Sequence, residues 1–157
     1  MKQLKFHLDI VKNNIEILEN IFDEIKDSFP LTKEKYKTLK EKDFKIFDVI
    51  AYRFIKTQAI LGEKIFREIL EYSEFDLNNK NFLEILSELE RMGILKVNEW
   101  RFLRELRNTL SHDYPYNEEE ILEALNSLHF ELDNLKKIFN KIKVEYEKIS
   151  KIKQRRD

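Results

Sequence analysis

Cysteine is absent from the chain, which holds only two glycines, two prolines and one tryptophan in 157 residues. Without cysteine there is neither a disulfide framework nor a thiolate metal site. The three histidines, His7, His112 and His129, are too far apart for the H-x3-H spacing of a zinc site. So little Gly and Pro leaves scant material for the turns of a strand-rich fold. No apolar run approaches the ~18 residues of a membrane span, and the opening MKQLKFHLDI has no signal-peptide apolar core. A soluble cytoplasmic protein is the expectation. Excess charge of one sign is missing too: 29 Lys and Arg stand against 30 Asp and Glu, for a net charge of −1. That excludes a chain coated in positive potential. The exception is local, with nine cations and three acids from Lys136 to the end. Such a tail suits nucleic acid, an acidic partner or, as a solvated helix end, the C-terminal end of a helix.

What the chain does have is charge at 38% and apolar residues recurring at three-and-four spacing. That pattern predicts an all-α, antiparallel bundle of four or five helices. It forms a single domain, 1–157, with a basic tail from about residue 151. The first helix is expected from Lys2 to Ser28 on Ile10, Val11, Ile15, Leu18, Ile21, Phe22 and Ile25, closed by Phe29-Pro30. Thr32 is placed to cap a short turn containing Tyr36 and Leu39. A second long helix, Lys42 to Tyr72, buries Phe44, Phe47, Ala51, Phe54, Ile55, Leu61, Ile65, Phe66 and Ile69. Its Asp48, Arg53 and Gln58 read as solvated or paired surface residues. Gly62 costs a helix about 1 kcal/mol relative to alanine and so marks a close helix–helix approach.

After a polar break at 76–81, a third helix runs from Lys80 to Met92 on Phe82, Ile85, Leu86 and Leu89, with Gly93 as a left-handed cap. Asn98 is the expected N-cap of a fourth helix, Glu99 to His112. Asn117 followed by Glu120 resembles a capping box for the last helix, Glu118 to about Lys153. His7 reads as a surface residue and His129 as a boundary residue. Phe130 points away from its helix's apolar stripe, towards a neighbouring helix or a partner chain.

The stretch Arg107-Asn108-Thr109-Leu110-Ser111-His112-Asp113-Tyr114-Pro115 gathers the chain's most chemically versatile side chains. At ~100° per residue, Leu103, Leu106 and Leu110 define the buried face of the fourth helix. Arg107 lies at the edge of that face. Arg101, Arg104, Asn108 and His112 lie on its far side, with Asn108 and His112 one turn apart. Taken as residues alone, this is either a solvated surface, its His a cation suited to a helix C-terminus, or half of a cleft completed by a second copy of the helix. Arg101 and Arg104 either hold phosphate or pair with Glu99 and Glu105.

The run from Arg107 to His112 resembles the R-x(4–6)-H motif of HEPN domains. Extended to Tyr114 it is similar to the R-x4-H-x-Y form of HepT-type toxins, which are encoded beside an MNT-type nucleotidyltransferase antitoxin. The flanks, Trp100 to Arg104 and Tyr114-Pro115, and the Asp48, Arg53-Phe54, Gln58, Gly62 helix are similar as well. The resemblance implies a two-fold homodimer and an endoribonuclease without metal or cofactor. His112 would act as acid/base, Arg107 would stabilise the phosphorane, and Asn108 would orient the imidazole or bind phosphate. Arg101 and Arg104 would be the candidate RNA or nucleotide phosphate contacts. It also implies silencing by AMP transfer onto Tyr114, with Tyr116 a nearby acceptor. Related proteins of this fold act instead as non-catalytic, substrate-binding partners of nucleotidyltransferases.

Overall fold

In a computed structural model of the chain, residues 2–112 and 118–157 are described, without the side chains of Lys2 and His112. The expected Asn117 capping box and the Asp113, Tyr114, Pro115 and Tyr116 positions lie outside the described residues. Among those described there is no strand, and the chain is an α-helical bundle. The helices are α1 (Lys2–Glu24), α2 (Lys33–Lys37), α3 (Glu41–Ile60), α4 (Phe66–Tyr72), α5 (Phe82–Arg91), α6 (Val97–His112) and α7 (Glu118–Arg156).

Helices α3 and α4 form one rod, joined by a π-helical turn at Leu61–Ile65. There the Phe66 N–H bonds the Leu61 carbonyl five residues back, one more than in an α-helix. Against this rod α1 runs antiparallel: Asn14 meets Arg53 and His7 meets Glu68. α7 in turn runs antiparallel to α1, pairing Lys136 with Glu19 and setting His129 edge-on to Phe22 and stacked on Phe29. α6 sits between the rod and α7 and closes the ring of four, while α5 lies against α4 and α6. The core runs the length of the ring, through Val11, Leu18, Ile50, Phe54, Ile69, Leu103, Leu125 and Leu135. Each such side chain contributes about 1.5–3 kcal/mol on leaving water.

Local chemistry places the ends. Thr32 caps α2 as expected, its hydroxyl accepting from the Lys35 N–H, and Asn81 does the same for α5 from Glu84. Gly93 adopts φ +77°, and the Ile94 N–H reaches back to the Leu89 carbonyl. α1 stops at Glu24, short of Ser28, and a single 3-10 turn at Lys26–Ser28 leads to the extended Phe29. Asn98 is not an N-cap. α6 already begins at Val97, and the Lys96 carbonyl accepts from the Trp100 N–H. The segment after Pro30 is pinned by Asn126, whose amide accepts from the Leu31 N–H at 2.7 Å and donates to the Leu31 carbonyl at 2.9 Å.

Two further expectations change. His7 is not a solvated residue: its Nδ1 lies 2.8 Å from the Glu68 carboxylate, with both side chains mostly shielded. Gln58 is buried rather than superficial, and Arg53 is half-buried with its Nη1 donating to the buried Asn14 Oδ1 at 2.9 Å. Phe130 is 79% exposed among the described residues, outside the core of the bundle. No helix among the described residues is long and apolar enough to cross a membrane.

Candidate functional site

Helix α6 carries the candidate residues, and its burial pattern sets their positions. Leu103, Leu106 and Leu110 are buried and fix the helix against the bundle. Arg107, at the edge of that stripe, is half-buried, while Arg101, Arg104 and Asn108 are exposed. Arg107 donates from Nη2 to Asn108 Oδ1 at 3.1 Å, and its carbonyl accepts from the Ser111 hydroxyl at 2.8 Å. The α6 backbone continues to His112, one turn beyond Asn108. Tyr114 lies outside the described residues.

Arg104 and Arg107 share a cleft of about 420 Å³ between α6, the α3–α4 rod and α5. That volume falls in the ~300–1,000 Å³ range of small-molecule sites. Gln58, Ala59, Gly62, Glu63, Arg67, Phe82 and Trp100 complete its lining. Arg67, Arg104 and Arg107 therefore line the same depression as Glu63. Neither Arg101 nor Arg104 pairs with Glu99 or Glu105. Arg104 instead lies 6.0 Å from the centre of the Phe82 ring. Arg101 and Asn108 are not part of the cleft lining.

The floor is built by one close approach. Trp100 is buried against α3–α4, its ring edge-on to Phe66 at 4.5 Å. A Cβ on Gly62 would stand 3.0 Å from Trp100 Cζ2, tighter than an ordinary contact, so the indole would have to give way to any larger residue there. Gly62 lies within the π-helical turn, which also carries Glu63 into the lining. Two polar atoms of the lining residues are buried and unpartnered among the described residues, Gln58 Oε1 and Trp100 Nε1. Leaving such groups unsatisfied typically costs ~1–3 kcal/mol each.

The α6 cations and the close approach at Gly62 were anticipated, whereas Arg67 and the burial of Gln58 were not. The available signal was the four-residue spacing of Gln58 and Gly62, which the extra residue of the π turn extends to Arg67. Among the described residues no cluster of three or more His, Asp or Glu side chains is placed to hold a metal ion. Comparison with protein-family models, with curated proteins and with solved structures finds no match to this chain.

Proposed function

We propose that the chain is an endoribonuclease of the HEPN type that works as a two-fold homodimer, with Arg107 and His112 as its catalytic residues. The observation that carries this reading is the position of Arg107, half-buried on α6 at the edge of a cleft that also holds Arg67 and Arg104. Its helix continues for five residues to His112. A phosphodiester would meet a cluster of permanently charged forks there, which suit phosphate geometry.

An imidazole titrating near neutrality takes the proton of a ribose 2′-hydroxyl. The 2′ oxygen attacks its own phosphate, the bond to the 5′ oxygen breaks, and an imidazolium returns a proton to that leaving oxygen. The products are a 2′,3′-cyclic phosphate end and a 5′-hydroxyl end. Arg107 stabilises the charge that develops on the phosphorane oxygens. Asn108, bonded to Arg107 and one turn before His112, orients this pair. A second copy across a two-fold axis shields the exposed face from water and supplies the second imidazole. AMP transfer to Tyr114 by a cognate MNT-type nucleotidyltransferase would place negative charge beside the motif and repel RNA.

The test is induction of the wild-type chain and of His112→Ala in a bacterial host, with sequencing of the recovered RNA ends. Growth arrest with cyclic-phosphate ends, both abolished by the substitution, is the expected result. Normal growth with folded, dimeric protein would overturn it in favour of a non-catalytic nucleotidyltransferase partner.

A further inference from the structure

On the flank of α6 turned away from the arginine cleft, two large rings stand in solvent. Phe102 is 40% exposed and Phe130 79% exposed, although covering such a ring is favourable in water. The helices that carry them run antiparallel. Lys96 and Glu99, at the start of α6, share one depression with Asn134 and Lys137 of α7, and Leu106 and Thr109 share the next with Glu123 and Ser127. Phe102 follows Glu99 by three residues and Phe130 precedes Asn134 by four, so the two rings flank the α6–α7 seam at one level. The second depression, of about 200 Å³, has Leu106 and Ala124 as its buried apolar floor and Glu105, Glu120 and Glu123 as its rim. Among the described residues its lining holds no cation, and neither Glu105 nor Glu123 has a partner. Exposed apolar surface rimmed by polar groups marks interaction sites.

We infer that the α6–α7 seam docks a basic amphipathic helix of another protein, its apolar stripe on Phe102 and Phe130 and its lysines or arginines over Glu105, Glu120 and Glu123. Charge complementarity selects this occupant. Three carboxylates around an apolar floor repel an acidic segment and RNA alike, and they favour cations carried beside apolar side chains. Length selects a helix. The stretch of chain from Lys96 to Thr109 that borders both depressions is about 20 Å long. That matches a helix of about 13 residues with apolar anchors at i, i+3 or i+4 and i+7. A second copy of this chain fits less well. Its exposed apolar side chains in a basic setting, Val144 and Ile152, stand eight residues apart with Lys148 between them on the same face. They would set a lysine, not an apolar side chain, between the two rings. The seam lies on the α7 side of α6, whereas Arg104 and Arg107 line the cleft on its α3–α4 side. A helix in the seam therefore leaves those arginines open, and its docking does not depend on the ribonuclease reading.

The experiment titrates the purified full chain into fluorescein-labelled helical peptides of about 14 residues and reads fluorescence anisotropy. The first peptide carries leucines at i, i+4 and i+7 with lysines on either side. The second replaces its lysines with glutamates, and the third replaces its leucines with serines. The lysine–leucine peptide should bind at least about tenfold more tightly than either of the others. Phe130→Ser, at a largely exposed position, should weaken it by about tenfold while circular dichroism shows an unchanged fold. Glu105→Lys combined with Glu123→Lys, both exposed, should lose the lysine–leucine peptide and bind the glutamate peptide instead. A merely destabilised chain cannot give that reversal.

Equal binding of the lysine–leucine and lysine–serine peptides would reduce the seam to an acidic patch and overturn the inference. A doubly substituted chain that still prefers lysines would overturn it as well, since the peptide would then be held elsewhere. Sedimentation equilibrium of the chain without peptide tests the other occupant. Unchanged assembly in Phe130→Ser is expected. If that substitution alone alters the assembly, a second copy covers the seam and the partner helix is refuted.

Discussion

Replacing Gly62 with alanine sets two effects of known sign against each other. Alanine stabilises a helix interior by about 1 kcal/mol relative to glycine. Against that stands the new methyl group, 3.0 Å from Trp100 Cζ2. The indole has little room to yield, since it is buried and lies edge-on against Phe66 at 4.5 Å. Overpacking of this kind costs ~1–3 kcal/mol. The second effect wins, and Gly62→Ala should lose about 1 kcal/mol, or roughly 2–4 °C in Tm for a chain of this size. Urea unfolding followed by far-ultraviolet circular dichroism measures it, with an unchanged m value marking an altered native state rather than an altered unfolded one. The decisive arm is the same substitution in a Trp100→Phe background. The smaller ring lacks the edge that carries Cζ2, so Gly62→Ala should there become neutral or stabilising, with a coupling of at least about 1 kcal/mol between the sites. Stabilisation by Gly62→Ala in the otherwise wild-type chain would refute the close approach as the reason for glycine.

Two other substitutions probe the frame that holds the cleft. Asn126→Ala breaks both hydrogen bonds to the Leu31 backbone, and the chain should lose about 1–3 kcal/mol, read as a lower urea midpoint at constant m. Gly93→Ala meets no atom within 4 Å, so its cost is the left-handed backbone alone, φ +77°. A loss of about 1 kcal/mol is expected, partly recovered in Gly93→Asn; equal melting temperatures for all three chains would contradict that account.

The helices were legible because their signals are local. Leu103, Leu106 and Leu110 repeat at helical spacing and are all buried, and Thr32 and Gly93 are residues whose chemistry suits the ends they form. Asn98 misled because a good capping residue sits two positions beyond the carbonyl that starts α6. The buried polar contacts were not legible for a different reason. His7 and Glu68 are 61 residues apart, Asn14 and Arg53 are 39 apart, and nothing in either segment announces its partner. The cleft is of the same kind. Its cations come from two helices and its floor from a glycine and a tryptophan 38 positions apart, so motif spacing revealed the α6 side and left Arg67 out.

Helix α7 has a consequence beyond the core it covers. Its first turn holds Glu118, Glu119 and Glu120, and its last holds Lys153, Arg155 and Arg156, so a 39-residue rod about 58 Å long is acidic at one end and basic at the other. A net charge of −1 therefore conceals a helix whose two ends carry opposite charge. Two such molecules laid side by side in the same direction set like poles together. A two-fold axis across the rod reverses one of them and brings each acidic end alongside the other's basic end. Screening beyond ~8 Å at physiological salt confines this preference to close approach, so it would act on the alignment of the final encounter rather than on long-range attraction.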